Sequence, residues 1–369
     1  MSNLRIAVIG VGHLGKIHSK LLQGVEGAEL VAIVDPVEAA RTAVATDLKT
    51  PSYADHRPLL GQIDAAIIAT PTRFHHAVAA ELLQCGVHVL IEKPITPSVS
   101  DAKELVALAE EHSLILQVGH VERFNPAFVA AQPFITDPKY IEVFRTAPYT
   151  CRSVDVGVVL DLMIHDLDLV LTLAKSEVVA VEALGSSVFG PNEDWAQARL
   201  TFRSGCVANL TASRVSPTTQ RSLAAHWQGG SANIDFAAKK SSLLSHAPVQ
   251  EEPIDVLNAS PADQAHIKEH LFQDYLPLQE LPIVETNAIL EEQRDFVASI
   301  REFRQPRVTG RDGLRALDTA EQILASIAAH HWDGSTSGRI GPHYDEQSGI
   351  LVSPHWQRRR AGAFKRMAG

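Results

Sequence analysis

Short apolar runs alternate with amphipathic stretches through the first third of the chain. Residues 4–9 (LRIAVI), 29–34, 63–69, 87–91 and 114–118 are nearly continuous in Val, Ile, Leu and Ala, the pattern of strands covered on both faces. Between them, a stretch running through Leu22, then residues 74–84 and 98–111, carry helical spacing, with Gly86 closing the second. Strands alternating with helices predict a doubly wound parallel sheet.

From Lys139 the texture changes. Residues 139–144, 178–188, 196–202, 206–213, 222–228 and 231–236 read as strands, several joined by Ser204-Gly205 or Gly229-Gly230 turns that require antiparallel pairing. One apolar helix is expected over 157–174 and two amphipathic helices over 287–303 and 312–331, while 239–281 reads as loops with strands that the pattern does not place. The fold class is α/β: a Rossmann domain over 1–121, a second α/β domain with a mixed or antiparallel sheet over 122–331, and a tail over 332–369. The last helices are expected to pack back toward the first domain. The tail is basic through Arg358, Arg359, Arg360, Lys365 and Arg366, and reads as loosely docked, with a partner-binding arm as the lesser option.

Composition narrows the function classes. The 369 residues are 45% hydrophobic and 21% charged with a net charge of -10, so neither nucleic acid nor an anionic membrane finds a positive field. Cys85, Cys151 and Cys206 are far apart, which predicts no disulfide framework, no metal site and a reducing cytoplasm. The start lacks a signal-peptide pattern, and the apolar stretch 156–174 is interrupted by Asp161, His165, Asp166 and Asp168, which argues against a membrane span.

Two stretches carry chemistry. Gly10-Val11-Gly12-His13-Leu14-Gly15 lies between a strand and a helix, the context in which GxGxxG cradles a pyrophosphate. Asp35, ending the next strand 25 residues after Gly10, is placed to accept ribose hydroxyls or to cap a helix. With no Arg or Lys directly after it, NAD is favoured over NADP, although Arg41 follows nearby. The strand His88-Val89-Leu90-Ile91 ends in Glu92-Lys93-Pro94, where open α/β sheets bind ligands. Lys93 is a candidate acid/base if burial lowers its pKa, and Glu92, on the opposite side of the strand, is given to cofactor positioning or packing. On the helix over 157–174, Asp161, His165, Asp168 and Thr172 fall within about 60° of one another. Asp161, four residues before His165, is expected to orient that imidazole as a proton acceptor, while Asp166 points elsewhere and reads as structural.

GVGHLG at 10–15, ATPTRFHH at 69–76, HVLIEKP at 88–94 and DLMIHDLD at 161–168, in this order, resemble the glucose-fructose oxidoreductase/inositol dehydrogenase/MocA family over residues 4–330. The resemblance implies a Rossmann domain followed by a domain with an open, predominantly antiparallel sheet, and NAD(P)-dependent oxidation of a sugar or cyclitol hydroxyl. It implies that Lys93, Asp161 and His165 are catalytic and that Thr70, Pro71 and His75 line the cofactor. Thr72 and Gly119-His120 stand where many members have Asn. GHVERFNPAF at 119–128 with VVLDLMIHDLDLVL at 158–171 is most similar to the UDP-N-acetylglucosamine 3-dehydrogenase branch, with Arg123, Asn125 and Arg152 as candidate ligands of the diphosphate. An inositol or free-sugar dehydrogenase, or a dinucleotide-sensing regulator without chemistry, are the alternatives. An open sheet face is expected to be covered in a homodimer or homotetramer. Whether Lys93 or His165 takes the proton is left open by the sequence.

Overall fold

The computed structural model describes residues 2–150, 156–189, 192–245, 255–332 and 340–342. Among these, six parallel strands form the first sheet: β1 (Leu4–Ile9), β2 (Ala28–Val34), β3 (Ser52–Tyr53), β4 (Ala65–Ile68), β5 (His88–Glu92) and β6 (Leu116–Gly119). Their order is β3-β2-β1-β4-β5-β6, so the winding reverses between β1 and β4 and the carboxyl ends of those strands flank a crevice. Helices α1 (His13–Leu22), α2 (Glu38–Leu48), α3 (His75–Gln84) and α4 (Val99–Glu111) make the crossovers, α4 capped by Ser98. Ile6, Val8, Ile67 and Leu90 pack in one layer, while their neighbours Ala7, Ile9, Ile68 and Ile91 pack in the other. That division explains why the strands read as unbroken apolar runs.

After α5 (Pro126–Ala131), a second sheet is built from β7 (Tyr140–Thr146), β8 (Val178–Ser186), β9 (Trp195–Phe202), β10 (Val207–Ser213), β11 (Gln220–Trp227), β12 (Gly230–Asp235), β13 (Lys240–Ser245) and β14 (Leu278–Glu280). The order is β14-β13-β12-β11-β7-β10-β9-β8; β7 and β10 run parallel and the other neighbours antiparallel. Its strands alternate, so Ile141, Val143, Ala208 and Leu210 meet Leu167, Val170 and Leu171 of α6 (Ile164–Ala174) on one face only.

Residues 239–281, expected as loops with unplaced strands, contain strands β13 and β14 and, unexpectedly, α7 (Pro261–His270) and a π-helical turn at Leu271–Tyr275. Their signals are weak for a physical reason: four of the six residues of β13 are serine or lysine, and α7 buries no residue, so it needs no apolar stripe. α8 (Ala288–Glu302) packs Phe296, Val297 and Ile300 against Ile6, Val8 and Ile67 of the first sheet. α9 (Gly310–Ala329), opened by a Thr309/Asp312 capping box, reaches both cores: Leu317 joins the first, Ile323 and Ile327 the second. Among the described residues no helix is long and apolar enough to cross a membrane.

Candidate active site

The glycine loop is shaped by two different demands. Gly10 has φ +87°, and a Cβ there would come within 2.7 Å of the backbone of Ala69 and Thr70; a Cβ on Gly15 would run into the Gly10 carbonyl. A Cβ on Gly12 would meet nothing within 4 Å. The room in front of Gly12 opens on the amides of α1, which have no side-chain cap and no acid in the first turn. Open space beside an unneutralised helix N-terminus fits a pyrophosphate.

Asp35, at the end of β2, accepts the Val11 amide on Oδ2 at 2.9 Å and the Val37 amide on Oδ1 at 2.9 Å. The carboxylate braces the glycine loop and retains lone pairs for ribose hydroxyls. It does not cap α2, whose N-cap is Val37. Arg41 directs Nη1 to the carbonyls of Asp35 (3.4 Å) and Pro36 (3.1 Å).

His75 lies between the Thr70 loop and the Lys93-Pro94 bond, which is cis. Its Nδ1 faces the Pro94 carbonyl and its Nε2 the Thr70 carbonyl, both at 2.9 Å; burial pushes its pKa down, and the single N–H of the neutral ring can be donated to only one of the two. His75 therefore shapes the loop that abuts Gly10, with its ring nitrogens turned inward. Thr70 Oγ1 is buried without a hydrogen-bond partner.

At the end of β5, neighbouring side chains part. Glu92 turns under α1, where Oε1 meets His18 Nε2 at 2.8 Å. Lys93 turns into the cleft, where Nζ donates to the Asp161 carbonyl at 2.7 Å and sits 3.5 Å from Asp161 Oδ1. Burial pushes the Lys93 pKa down; the carboxylates of Asp161 and Glu92 oppose the shift and Arg145 adds to it.

The expected Asp161–His165 pair is not made. Val159–Met163 forms a π-helical turn before α6, which changes the angular advance per residue, and Asp161 meets Lys93 instead. His165 Nδ1 is buried without a partner. Burial holds the His165 pKa well below 6.5, and the charges of Lys93, Arg145, His120 and Arg221 act in the same direction. A neutral imidazole next to a lowered lysine can accept a proton from an alcohol.

The rest of the polar stripe anchors the helix. Asp168 takes a bidentate bond from Arg123 (2.6 and 2.8 Å), Asp166 one from Arg145 (2.7 to 3.0 Å), and Thr172 Oγ1 bonds the Asp168 carbonyl. Arg145 also bonds Glu122 at 2.9 Å. At the helix start Glu193 Oε1 accepts the Val159 amide at 3.0 Å, and a Cβ on Gly157 would strike that carboxylate.

Two expected diphosphate ligands have partners within the protein. Arg123 is buried and spends its guanidinium on Asp168, the Arg307 carbonyl and Asp312. Asn125 caps α5 through the Ala127 amide and donates to Glu122. Both are consumed because buried donors and helix ends require partners. Arg152 lies outside the described residues. Arg145, Arg221 and Glu193 are the polar residues that sequence reasoning passed over, and His120 was marked only as standing where many family members have Asn. Arg145 had a signal: it follows Ile141 and Val143 on the inward face of β7. Cavities of about 650 Å³ between α4 and α8 and about 620 Å³ beside Glu142 and Phe144 open elsewhere, and neither is lined by Lys93, Asp161 or His165.

Two family models match the chain: "Oxidoreductase family, NAD-binding Rossmann fold" over residues 4–120 and "GFO/IDH/MocA C-terminal domain" over residues 137–233. The UDP-N-acetylglucosamine 3-dehydrogenase of Acidithiobacillus ferrooxidans is 34% identical over 330 residues, 89% of this chain and 99% of that protein. A solved structure of that enzyme superposes with TM-score 0.77 at 33% identity, covering 88% of this chain and 98% of the other. The scyllo-inositol 2-dehydrogenase (NAD(+)) of Bacillus subtilis is 32% identical over 233 residues, 58% of this chain and 68% of that protein.

Proposed function

The chain belongs to the GFO/IDH/MocA family of NAD-binding oxidoreductases, and from that premise we propose that it oxidises C3 of UDP-N-acetylglucosamine to the 3-keto sugar with NAD as the acceptor. The observation that carries the chemistry is the convergence of Lys93, Asp161 and His165 where β5 ends beside the glycine loop. The likeness over nearly the full length of the 3-dehydrogenase supports the nucleotide sugar.

Gly10 to Gly15 and α1 hold the pyrophosphate, and Asp35 receives the ribose. Its negative charge at that point disfavours a 2′-phosphate, and Arg41 is occupied by carbonyls, which supports NAD over NADP. When bound, the dinucleotide supplies a hydride acceptor. Lys93 and His165 flank the sugar hydroxyl: one donates a hydrogen bond to its oxygen, the other takes its proton, and Asp161 fixes the position of Lys93. For the diphosphate, Arg221 replaces Arg123 and Asn125. It is exposed, lies opposite Arg145 in the β7/β11 pairing, and acts electrostatically on His165.

Residues 1–121 serve as the cofactor domain and 122–331 as the substrate domain, in a cytoplasmic homodimer or homotetramer. The outer face of the second sheet, with Glu142, Phe144, Ser222 and Asn233, lies outside the buried core and supports such an assembly. Light scattering on the purified protein reads the assembly, and a monomer would sink it.

Purified protein is to be incubated with NAD and UDP-N-acetylglucosamine, N-acetylglucosamine or scyllo-inositol, with an aminotransferase to trap the ketone. NADH and a 3-keto product should form with the nucleotide sugar. NADH from the cyclitol alone would reassign the substrate, and no NADH from any of them would end the reading.

A further inference from the structure

His120 stands at the carboxyl end of β6 and is 1% exposed, with both ring nitrogens buried and without partners. An imidazole carries at least one N–H, so a buried ring in this condition has a donor to place. Its neighbour is His165: the ring centroids are 6.4 Å apart, the planes stand at 87°, and the Nδ1 of His165 is likewise buried and unpaired. The charged groups acting on His120 are Asp168, Arg123, Lys93 and Asp312, and those on His165 are Lys93, Arg145 and Arg221. The carboxylates among them have other work. Asp168 is held by Arg123, Asp312 by Thr309, and Asp161, the expected orienter of His165, by Lys93.

At this centroid spacing two ring nitrogens can approach no closer than about 4 Å, beyond a direct hydrogen bond and suited to one shared water. We propose that His120 is the positioning residue of His165: through that water it holds His165 as the neutral tautomer protonated on Nδ1, leaving Nε2 free to take the hydroxyl proton. The inference rests on the dehydrogenase reading and deepens it, since it makes His165 the base and Lys93 the hydrogen-bond donor. In the step, the O–H bond breaks, the proton passes to His165 Nε2, and the electron pair stays on oxygen to form the carbonyl as the hydride leaves for NAD.

Two substitutions separate packing from hydrogen bonding. His120→Phe keeps a ring against His165 and removes the nitrogens; His120→Gln restores a polar donor and acceptor without the ring. His120→Phe should lower kcat on the order of tenfold or more and move the acidic limb of the kcat/KM profile, with KM for NAD unchanged, while His120→Gln recovers most of the rate. A wild-type rate and profile in His120→Phe, or an equal loss in His120→Gln, overturns the proposal. Nitrogen-15 shifts of histidine-labelled wild-type protein without substrate, with the His165 signal assigned by its loss in His165→Gln, report the tautomer directly. Protonation on Nδ1 supports the proposal and protonation on Nε2 overturns it, whether or not UDP-N-acetylglucosamine is turned over.

Discussion

A single peptide bond separates two buried clusters of opposite character. Behind Glu92, under α1, the buried side-chain atoms without partners are oxygens: both carboxyl oxygens of Glu292 and the amide oxygens of Gln117 and Gln293. In front of Lys93, in the cleft, they include three nitrogens, both of His120 and Nδ1 of His165, with Thr70 Oγ1 on the neighbouring loop. Strand alternation produces the split, because consecutive side chains of β5 must face opposite layers. In each cluster burial favours the neutral form, so Glu292 moves well above 4.5 while Lys93 moves below 10.5 and His165 well below 6.5. The clusters differ in access. Glu292 and His18 are 0% exposed, whereas the side chains of Lys93 and Asp161 keep 15% and 27% of theirs. In the proposed reaction the cleft side handles the substrate's proton, while the acidic side joins β5, α1 and α8 through His18, Glu92 and Gln293. His18, Glu92 and Glu292 bring ligand-type atoms within 4.8 Å of one another, and the hydrogen bond from His18 already uses part of that set.

The largest effect is expected on the open side. Lys93→Met removes the cleft's lowered ammonium and should cut kcat by about 10²- to 10⁴-fold while NAD binding, followed by calorimetry, stays intact. Turnover near the wild-type level would erase the functional distinction between the two clusters. A second test probes the helix that carries His165. Asp168→Ala would remove the bidentate partner of Arg123, whose side chain is 8% exposed, and leave it the Arg307 carbonyl and Asp312 at 3.6 Å. Breaking a buried pair in this way costs about 3–5 kcal/mol, measurable as a fall in the urea midpoint. Loss of under about 1 kcal/mol would mean that the pair is solvated and that α6 is positioned by its apolar contacts alone.

The difference between the two sides also decided what the sequence could reveal. Five strands of the first sheet were legible because they are largely apolar, and α4 and α3 carry visible signals in Ser98 and Gly86, whereas the two-residue strand β3 (Ser-Tyr) and α2, which has no side-chain cap, left none. Lys93, Asp161 and His165 could be named, yet their pairing could not. Helical spacing places Asp161 against His165, and only the π-helical turn at Val159–Met163 gives Asp161 to Lys93. Arg123 and Asn125 look like anion ligands in one dimension, and it takes the packing of the 3-10 turn Val121–Phe124, α5 and α6 to occupy them. His120 left one trace, its position directly after β6, and its empty surroundings are a tertiary fact. The acidic cluster left none, since His18, Glu92 and Glu292 are separated by most of the chain.

The sealed side gives the smallest effect and the cleanest sign. Burial and the charge of Glu92 raise the Glu292 pKa, whereas Glu92, which burial alone would raise, is held below 4.5 by the hydrogen bond and charge of His18 and by Lys93. Glu92 is therefore the ionised member and Glu292 the neutral one. A raised carboxyl keeps its proton in the folded state after the unfolded chain has released it. Its contribution is complete below about pH 4.5 and declines as pH rises toward the folded-state pKa, at up to about 1.4 kcal/mol per pH unit. His165 bends the curve the other way: its lowered pKa contributes above 6.5, and that stability is lost as pH falls from there toward the folded-state value. Glu292→Gln cannot ionise, so the stability difference between this variant and the wild type, from urea melts at several pH values, should grow in the variant's favour above pH 4.5. The low-pH fall due to His165 should persist in both. Parallel curves would mean that Glu292 is charged in the fold and that the acidic cluster, unlike the cleft, holds its groups in their ordinary ionisation states.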